Sequence, residues 1–404
     1  MNLIERLKQI GPGAMVAAAF IGPGTVTTAT VTGADHGFVL LWAVAFSILS
    51  VIVLQEFSAR LGIVSGEGLG EALRKEFSNP IIKFIAVFLV VGAIGVGAAA
   101  FETGNILGGA MGLATITGVS EQIWGPVIGL IALAILWTGK YELVEKVLIG
   151  LVALMSVSFV ATALILRPDM GEIMAGLFAP SLPEGEGLTL VIALIGTTVV
   201  PYNLFLHASS VQDKWQGTEN LNAARFDTIF SIIVGGIITL AIVITSAAVI
   251  HGTGMEVADA GDMAVQLEPT LGRWAKWFFA IGLFGAGFSS AATAPLAGAY
   301  ATAGALGWKR DLKSTKFRAV LLIILLIGVI GSAMGADPVQ LIIFAQAVNG
   351  ILLPISAVFL LYVMNNTEKL GEYTNGTFAN IIGGIIVAIT IIIGIMELMA
   401  VFGG

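Results

Sequence analysis

The sequence predicts an all-α protein that crosses a membrane many times, and three observations carry that prediction. Of its 404 residues, 57% are hydrophobic and only 11% are charged, less than half the ~25% charged share of an ordinary soluble domain. Mean hydropathy is +0.97. Glycine contributes 51 residues, scattered through apolar runs, where small residues let membrane helices approach closely. This composition excludes a water-soluble enzyme and a disordered chain. With 19 basic against 26 acidic residues it offers no basic patch for a nucleic acid. Zero cysteines leave no disulfide, thiolate metal site or cysteine nucleophile.

An apolar run of about 20 residues is long enough to cross a bilayer as helix. Eleven such runs occur, at 11–35, 37–63, 81–113, 122–138, 143–166, 188–211, 223–251, 275–306, 317–334, 338–364 and 377–402. The start, MNLIERLKQI, is charged and amphipathic and lacks a small-residue cleavage site, so no removable signal peptide is expected. Cytoplasmic loops collect Lys and Arg. With the N-terminus inside, sixteen of the nineteen basic residues fall on inner segments, and only Arg167, Arg273 and Lys276 fall outside. The split predicts a multi-pass protein of the plasma (inner) membrane with a cytoplasmic N-terminus and an external C-terminus. The longest connections, 167–187 and 252–274, are external and too short for a domain, so residues 1–404 form one transmembrane unit.

Two of the runs are interrupted. The first reads GPGAMVAAAFIGPGTVTTATVTGADHG and is cut at Gly22-Pro23-Gly24-Thr25. The sixth reads IGTTVVPYNLFLHASSV, with Pro201 between Val200 and Tyr202. Proline removes an N–H and clashes with the preceding turn, and glycine loosens the backbone. Freed backbone groups persist at membrane depth only where they line a cavity or are buried in protein. Either proline alone fits a mere helix kink as well as a functional break. Their positions, spans 1 and 6, correspond in two five-helix halves, and such pairing points to a transporter's central site. No residue-level repeat between the halves is detectable.

At these residues the chain resembles the Nramp family of proton-coupled divalent-metal transporters. GPGAMVAAAFIGPGT is similar to that family's first helix through its break, and LQEFSARLGIVSG to the end of its second. GKYELVEKVLIGLVALM, PYNLFLHASSVQ, FFAIGLFGAGFSSAATAPLAGAY and FAQAVNGILLPISAV resemble its fifth, sixth, eighth and tenth helices. The resemblance covers nearly the whole chain. It implies a LeuT-type fold: two inverted five-helix repeats (about 11–166 and 188–364) plus an eleventh helix (about 377–402). It departs from the family where the metal binds. The family uses the Asp and Asn of a DPGN break and the Met of an MPH break. Here Gly22, Thr25 and Val200 stand at those positions, and Tyr202 replaces the His.

The altered breaks set the expected substrate chemistry. A divalent cation at the midplane needs anionic or strongly donating oxygens to replace its water, and no carboxylate lies at either break, so no metal ligands are assigned. Helix N-termini restarting near Thr25 and Tyr202 carry partial positive charge. Thr25, Thr27, Thr28, Thr197, Thr198, Tyr202 and Asn203 add hydroxyl or amide donors, although a backbone-bonded filler role serves equally well for Thr27 and Thr28. The expected substrate site is therefore Gly22, Pro23, Gly24, Thr25, Thr197, Val200, Pro201, Tyr202 and Asn203. Gln346 joins it because span 10 borders the substrate in the resembling family.

Glu102 lies within span 3, where an intramembrane acid is a functional candidate by default, and in the resembling family an acid here belongs to the proton route. His207 matches a family histidine below the second break and is the other candidate for coupling. Structural roles serve equally well for His207, as for the Glu56–Arg60 pair at i,i+4. Asp227 and Arg318 are candidates for an inner charge network.

No nucleophile–base pair or ATP-binding loop is present, so neither an enzyme nor a primary pump is expected. The expected function is secondary active transport of a small inorganic anion such as bicarbonate by alternating access. The alternative is a proton-coupled carrier of a hydrated divalent metal, Mn²⁺ or Mg²⁺. The expected partners are the ion, the lipid bilayer and a coupling ion (proton or sodium), with no cofactor and no nucleic acid. One chain holds both breaks, so a monomer suffices.

Overall fold

The computed structural model describes residues 10–138, 142–183, 186–309 and 311–402. The charged start with Arg6 and Lys8, Lys140, Arg310 and the last two residues lie outside the described residues. All regular structure described is helical, and every expected apolar run is a helix or a pair of helices. The first run is α1 (Pro12–Phe20) and α2 (Pro23–His36), bent by 51°. Next come α3 (Leu41–Ser65), the short α4 (Leu69–Glu76), α5 (Pro80–Thr117), α6 (Glu121–Thr138), α7 (Glu142–Leu166) and the connecting α8 (Met170–Phe178). The sixth run divides into α9 (Glu186–Thr198) and α10 (Pro201–Lys214). After α11 (Leu221–Val249), the short α12 (Ala260–Ala264) and α13 (Glu268–Leu271) lead into α14 (Ala275–Leu306). The chain ends with α15 (Thr315–Ala333), α16 (Pro338–Val363), the short α17 (Thr367–Leu370) and α18 (Thr377–Phe402). Among the described residues, nine helical stretches are long and apolar enough to cross a membrane, and the bent pair makes a tenth. The remaining expected span is α6, with 18 residues.

Local chemistry sets several starts. Asn79 caps α5 by accepting from the N–H groups of Ile81 (2.9 Å) and Ile82 (3.3 Å), with Pro80 in the first turn. Asp337 caps α16 through the N–H of Gln340 (2.8 Å), again followed by proline. Lipid supplies no hydrophobic force between helices, so their packing rests on close backbone approach. α5 and α14 show this: a Cβ on Gly287 would fall 2.5 Å from the Gly109 Cα.

Burial separates centre from periphery. The apolar stretch of α9–α10 is 94% buried, whereas those of α7 and α15 are 33% buried. Phe84, Leu164, Ile330 and Phe378 point outward, a surface suited to lipid.

Two connections carry more structure than plain loops. α8 lies against the start of α3, with Gly176 on the Phe38 carbonyl. In 252–274, Ala260, Met263, Ala264 and Leu267 are buried, because this apolar segment fills the space beside α2. On the face bearing the N-terminus, Glu56 meets both Arg60 (3.0 Å) and Arg225 (2.8 Å). Arg60 also donates to the Tyr373 carbonyl (2.8 Å) and Asn375 Oδ1 (2.7 Å). The expected pair is thus a network fastening α3 to α11 and to the segment after α17. Arg318 lies 4.2 Å from the centroid of the Trp137 ring.

Candidate substrate site at the two helix breaks

Each proline occupies the first turn of the half-helix that follows it, where its missing N–H has no partner to lose. The prolines therefore start α2 and α10 rather than kink a continuous helix. Gly22 and Val200 are the extended N-cap residues, and their carbonyls accept from the N–H groups of Val26 and Asn203, both at 3.1 Å. Pro23 is seated on Gly108 of α5, a position that admits no side chain. The Gln346 side chain from α16 lies directly against Gly24, in the space a Cβ there would take. On the other side of the break, a Cβ on Gly22 would lie 3.2 Å from Ser290 Oγ and 3.7 Å from Asn105 Oδ1. The two breaks touch directly, because Thr25 Oγ1 and Thr197 Oγ1 are 2.8 Å apart.

The structure brings together Gly22–Thr25, Thr197 and Gln346, and it places Val200–Asn203, all buried, directly after the α9 end that Thr197 ties to Thr25. It also changes what their side chains offer. Thr25 donates to the Phe20 carbonyl, and Thr198 to the Leu194 carbonyl (2.8 Å). Thr27 contacts Met263 Sδ at 3.9 Å. Tyr202 packs edge-on against Phe101 with ring centroids 5.7 Å apart. Most hydroxyls counted toward an anion are already engaged.

Unpaired oxygens predominate among the polar atoms left over. Glu102 Oε1, Asn105 Oδ1, Asn203 Oδ1 and Gln346 Oε1 are buried without a partner, against the donors of two unpaired amide nitrogens, on Asn203 and Gln346, and of the Thr28 hydroxyl. Glu102 sits beside the break rather than in it. Its chain packs on Gly328 of α15, and its Oε2 accepts from Asn105 Nδ2 at 3.5 Å. Asn105 thus bridges the acid and Gly22.

His207 is buried below the second break, 2.9 Å from Gln55 Oε1 and 3.5 Å from Thr228 Oγ1. Among the described residues, no group of three or more His, Asp or Glu is placed to hold a metal ion.

Access is asymmetric. A cavity of about 540 Å³ has Gly11, Met15 and Leu312 in its wall, from the face bearing the N-terminus, and also Tyr202 and Ser290. On the opposite side α2 is covered. Gln266 donates to Thr30 Oγ1 (2.8 Å) and accepts from Thr245 Oγ1 (2.9 Å), with Met263 buried beside Thr27.

Sequence reasoning missed Asn105, Ser290 and Gln266. Asn105 was signalled by its position one helical turn beyond Glu102. The other two had no signal, since a serine in an alanine-rich helix and a glutamine in a loop are unexceptional.

Broken first and sixth helices that meet at a buried polar centre, reached by a cavity from one face, are the arrangement of a secondary transporter. The chain belongs to the natural resistance-associated macrophage protein-like (Nramp) family, whose pattern matches residues 13–400. It is 30% identical over 391 residues to the divalent metal cation transporter MntH of Klebsiella pneumoniae (strain 342), covering 96% of this chain and 92% of that one. Its fold is similar to that of the manganese transporter of Eremococcus coleocola, with TM-score 0.80, 20% identity and coverage of 98% and 87%. It is also similar to MhsT in complex with L-phenylalanine, with TM-score 0.62, 16% identity and coverage of 97% and 98%. The fold is accordingly LeuT-type, and the chain is a secondary transporter of the Nramp type, not an enzyme.

Proposed function

We propose that this transporter carries a small divalent cation between the two breaks and keeps part of the ion's hydration shell. The observation behind this reading is the set of buried, unpaired oxygens on residues around the breaks: Asn105 Oδ1 next to Gly22, Gln346 Oε1 next to Gly24, Asn203 Oδ1 after the second break and the Glu102 carboxyl one turn from Asn105. Buried polar atoms call for partners, and waters around a cation donate to just such acceptors. All the donor atoms are oxygens, which suit hard ions such as Mg²⁺ and Mn²⁺ better than soft ones. The names of the Klebsiella and Eremococcus proteins agree with this class of substrate.

The anion reading keeps one observation in its favour. The N-termini of α2 and α10 start at the breaks, where no carboxylate stands. Bicarbonate is its first candidate. Uptake into proteoliposomes separates the two readings: saturable uptake of Mn²⁺ or Mg²⁺ is expected, and uptake of labelled bicarbonate without metal would reverse the assignment.

Coupling to a proton or sodium would run through Glu102 and His207, the ionisable pair buried at and below the site. A single chain is the transporting unit, with two inverted repeats at about 11–166 and 188–364. In this reading the N-terminal face is cytoplasmic, a placement supported by the distribution of Lys and Arg. An impermeant thiol reagent is therefore expected to label a cysteine introduced at Gly252 from outside only.

Thr25→Val is expected to slow uptake while leaving ion selectivity unchanged. The substitution unpairs Thr197 and parts the two breaks, at a cost of about 1–3 kcal/mol. A change in selectivity would instead make the Thr25 hydroxyl a direct ligand.

A further inference from the structure

A second cavity lies on the membrane-facing side of α1, and its chemistry differs from that of the polar centre. It measures about 390 Å³ and is walled by Ala17 and Ala18 of α1, Ala153 of α7, Gly235 of α11 and Ala286 of α14. Its rim residues Ile149, Val157 and Val234 are 46%, 65% and 42% exposed, so the cavity opens toward the bilayer. Small side chains form the floor and larger exposed ones the edges, the shape of a groove. We propose that this groove is a binding site for one acyl chain of a membrane lipid, seated against the first half-helix.

Along α7 and α11 water is a poor occupant: the Ser156 hydroxyl already donates to the Val152 carbonyl (2.8 Å) and that of Ser231 to Asp227 (3.5 Å), while Ser289 and Ser290 of α14 stand at the edge shared with the open cavity. A buried water needs two or more polar partners, and an empty groove forfeits the dispersion contacts of its lining. The solvent at this face of a membrane protein is hydrocarbon, which supplies those contacts.

The length also fits. From Ile149 to Val157 along α7 is about 12 Å at 1.5 Å per residue, close to one leaflet of a hydrocarbon core about 30 Å thick. A neighbouring groove of about 420 Å³ shares Ser156, Val157, Val234 and Ile238 and continues to Leu164, about 10 Å further along α7.

The site borders the transport path. Ala14, Ala18, Ser289 and Ser290 line both this groove and the open cavity that reaches Tyr202. α1 is thus the wall between a hydrocarbon-filled groove and the ion's route, and Ser290 faces Gly22 from the same wall.

The test uses the full-length transporter in lipid nanodiscs doped with a phospholipid carrying a photoreactive diazirine at the end of one acyl chain. Labelled positions are mapped by mass spectrometry. Ala18, Ala153 and Val234 are expected to take at least fivefold more label than Ile323 and Ile330, which face lipid on α15. Ala153→Phe fills the groove and is expected to bring Ala18 and Val234 down to the α15 level. Ala18→Leu provides the same reduction at Val234 should the phenylalanine variant fail to fold. Even labelling of all lipid-facing residues would overturn the proposal, as would labelling unchanged in a folded groove-filling variant. Neither outcome bears on the identity of the transported ion.

Discussion

Gly22→Asp is expected to raise the affinity for manganese at least tenfold, a change of about 1.4 kcal/mol. The new carboxylate would enter between Ser290 Oγ and Asn105 Oδ1, with no backbone atom among its nearest neighbours. It would place a carboxylate in the break itself, where Gly22 now offers only its backbone and Glu102 stands beside the break. Buried Coulombic interactions are large compared with those in water, so tenfold is a lower bound. Calorimetric titration with Mn²⁺ measures the change. The same substitution is expected to abolish uptake of an anion, because the carboxylate would repel it. A variant that loses bicarbonate uptake and gains no metal affinity would therefore establish the anion reading.

Asp227→Ala is expected to release the first half-helix. Asp227 is 1% exposed, and its two carboxylate oxygens accept from the N–H groups of Gly11 (2.9 Å) and Gly13 (2.6 Å). Those N–H groups form the positive end of α1, so the carboxylate both caps the helix and neutralises its terminus. Alanine would orphan two backbone donors, each at a cost of about 1–3 kcal/mol. The expected result is a lower melting temperature, faster thiol labelling of a cysteine at Met15 in the open cavity, and a severe loss of uptake. Asp227→Asn retains one acceptor and is expected to fall between the variant and the native protein. Undiminished uptake in Asp227→Ala would show that α1 is held by packing alone.

Asp227 also illustrates the limit of sequence reasoning. Its position near a helix end suggested a charge network, yet it bonds to backbone more than 200 residues away. Glu56 and Arg60 lie one turn apart on a single helix, and that pair was legible from spacing alone. The breaks were legible for a related reason, since Gly-Pro-Gly and Val-Pro-Tyr act on the backbone within a few residues. The substrate chemistry was less so. Counting hydroxyls near the breaks favoured an anion. The fold commits the proton of Thr25 to the Phe20 carbonyl and that of Thr198 to the Leu194 carbonyl. It also brings Glu102 to the break through Asn105.

Composition and hydropathy by themselves determined that this protein lives in a bilayer, where its helices run and where two of them stop. Each of those features depends on a property local to some twenty residues: the cost of an unpaired amide in hydrocarbon, or the geometry of proline. Tertiary structure alone decided which polar atoms remain unpaired once α2, α5, α10 and α16 are packed together. Whether a hydroxyl or carboxyl is spent on a neighbour or left for an ion depends on which helices meet, and residues far apart in the chain decide that.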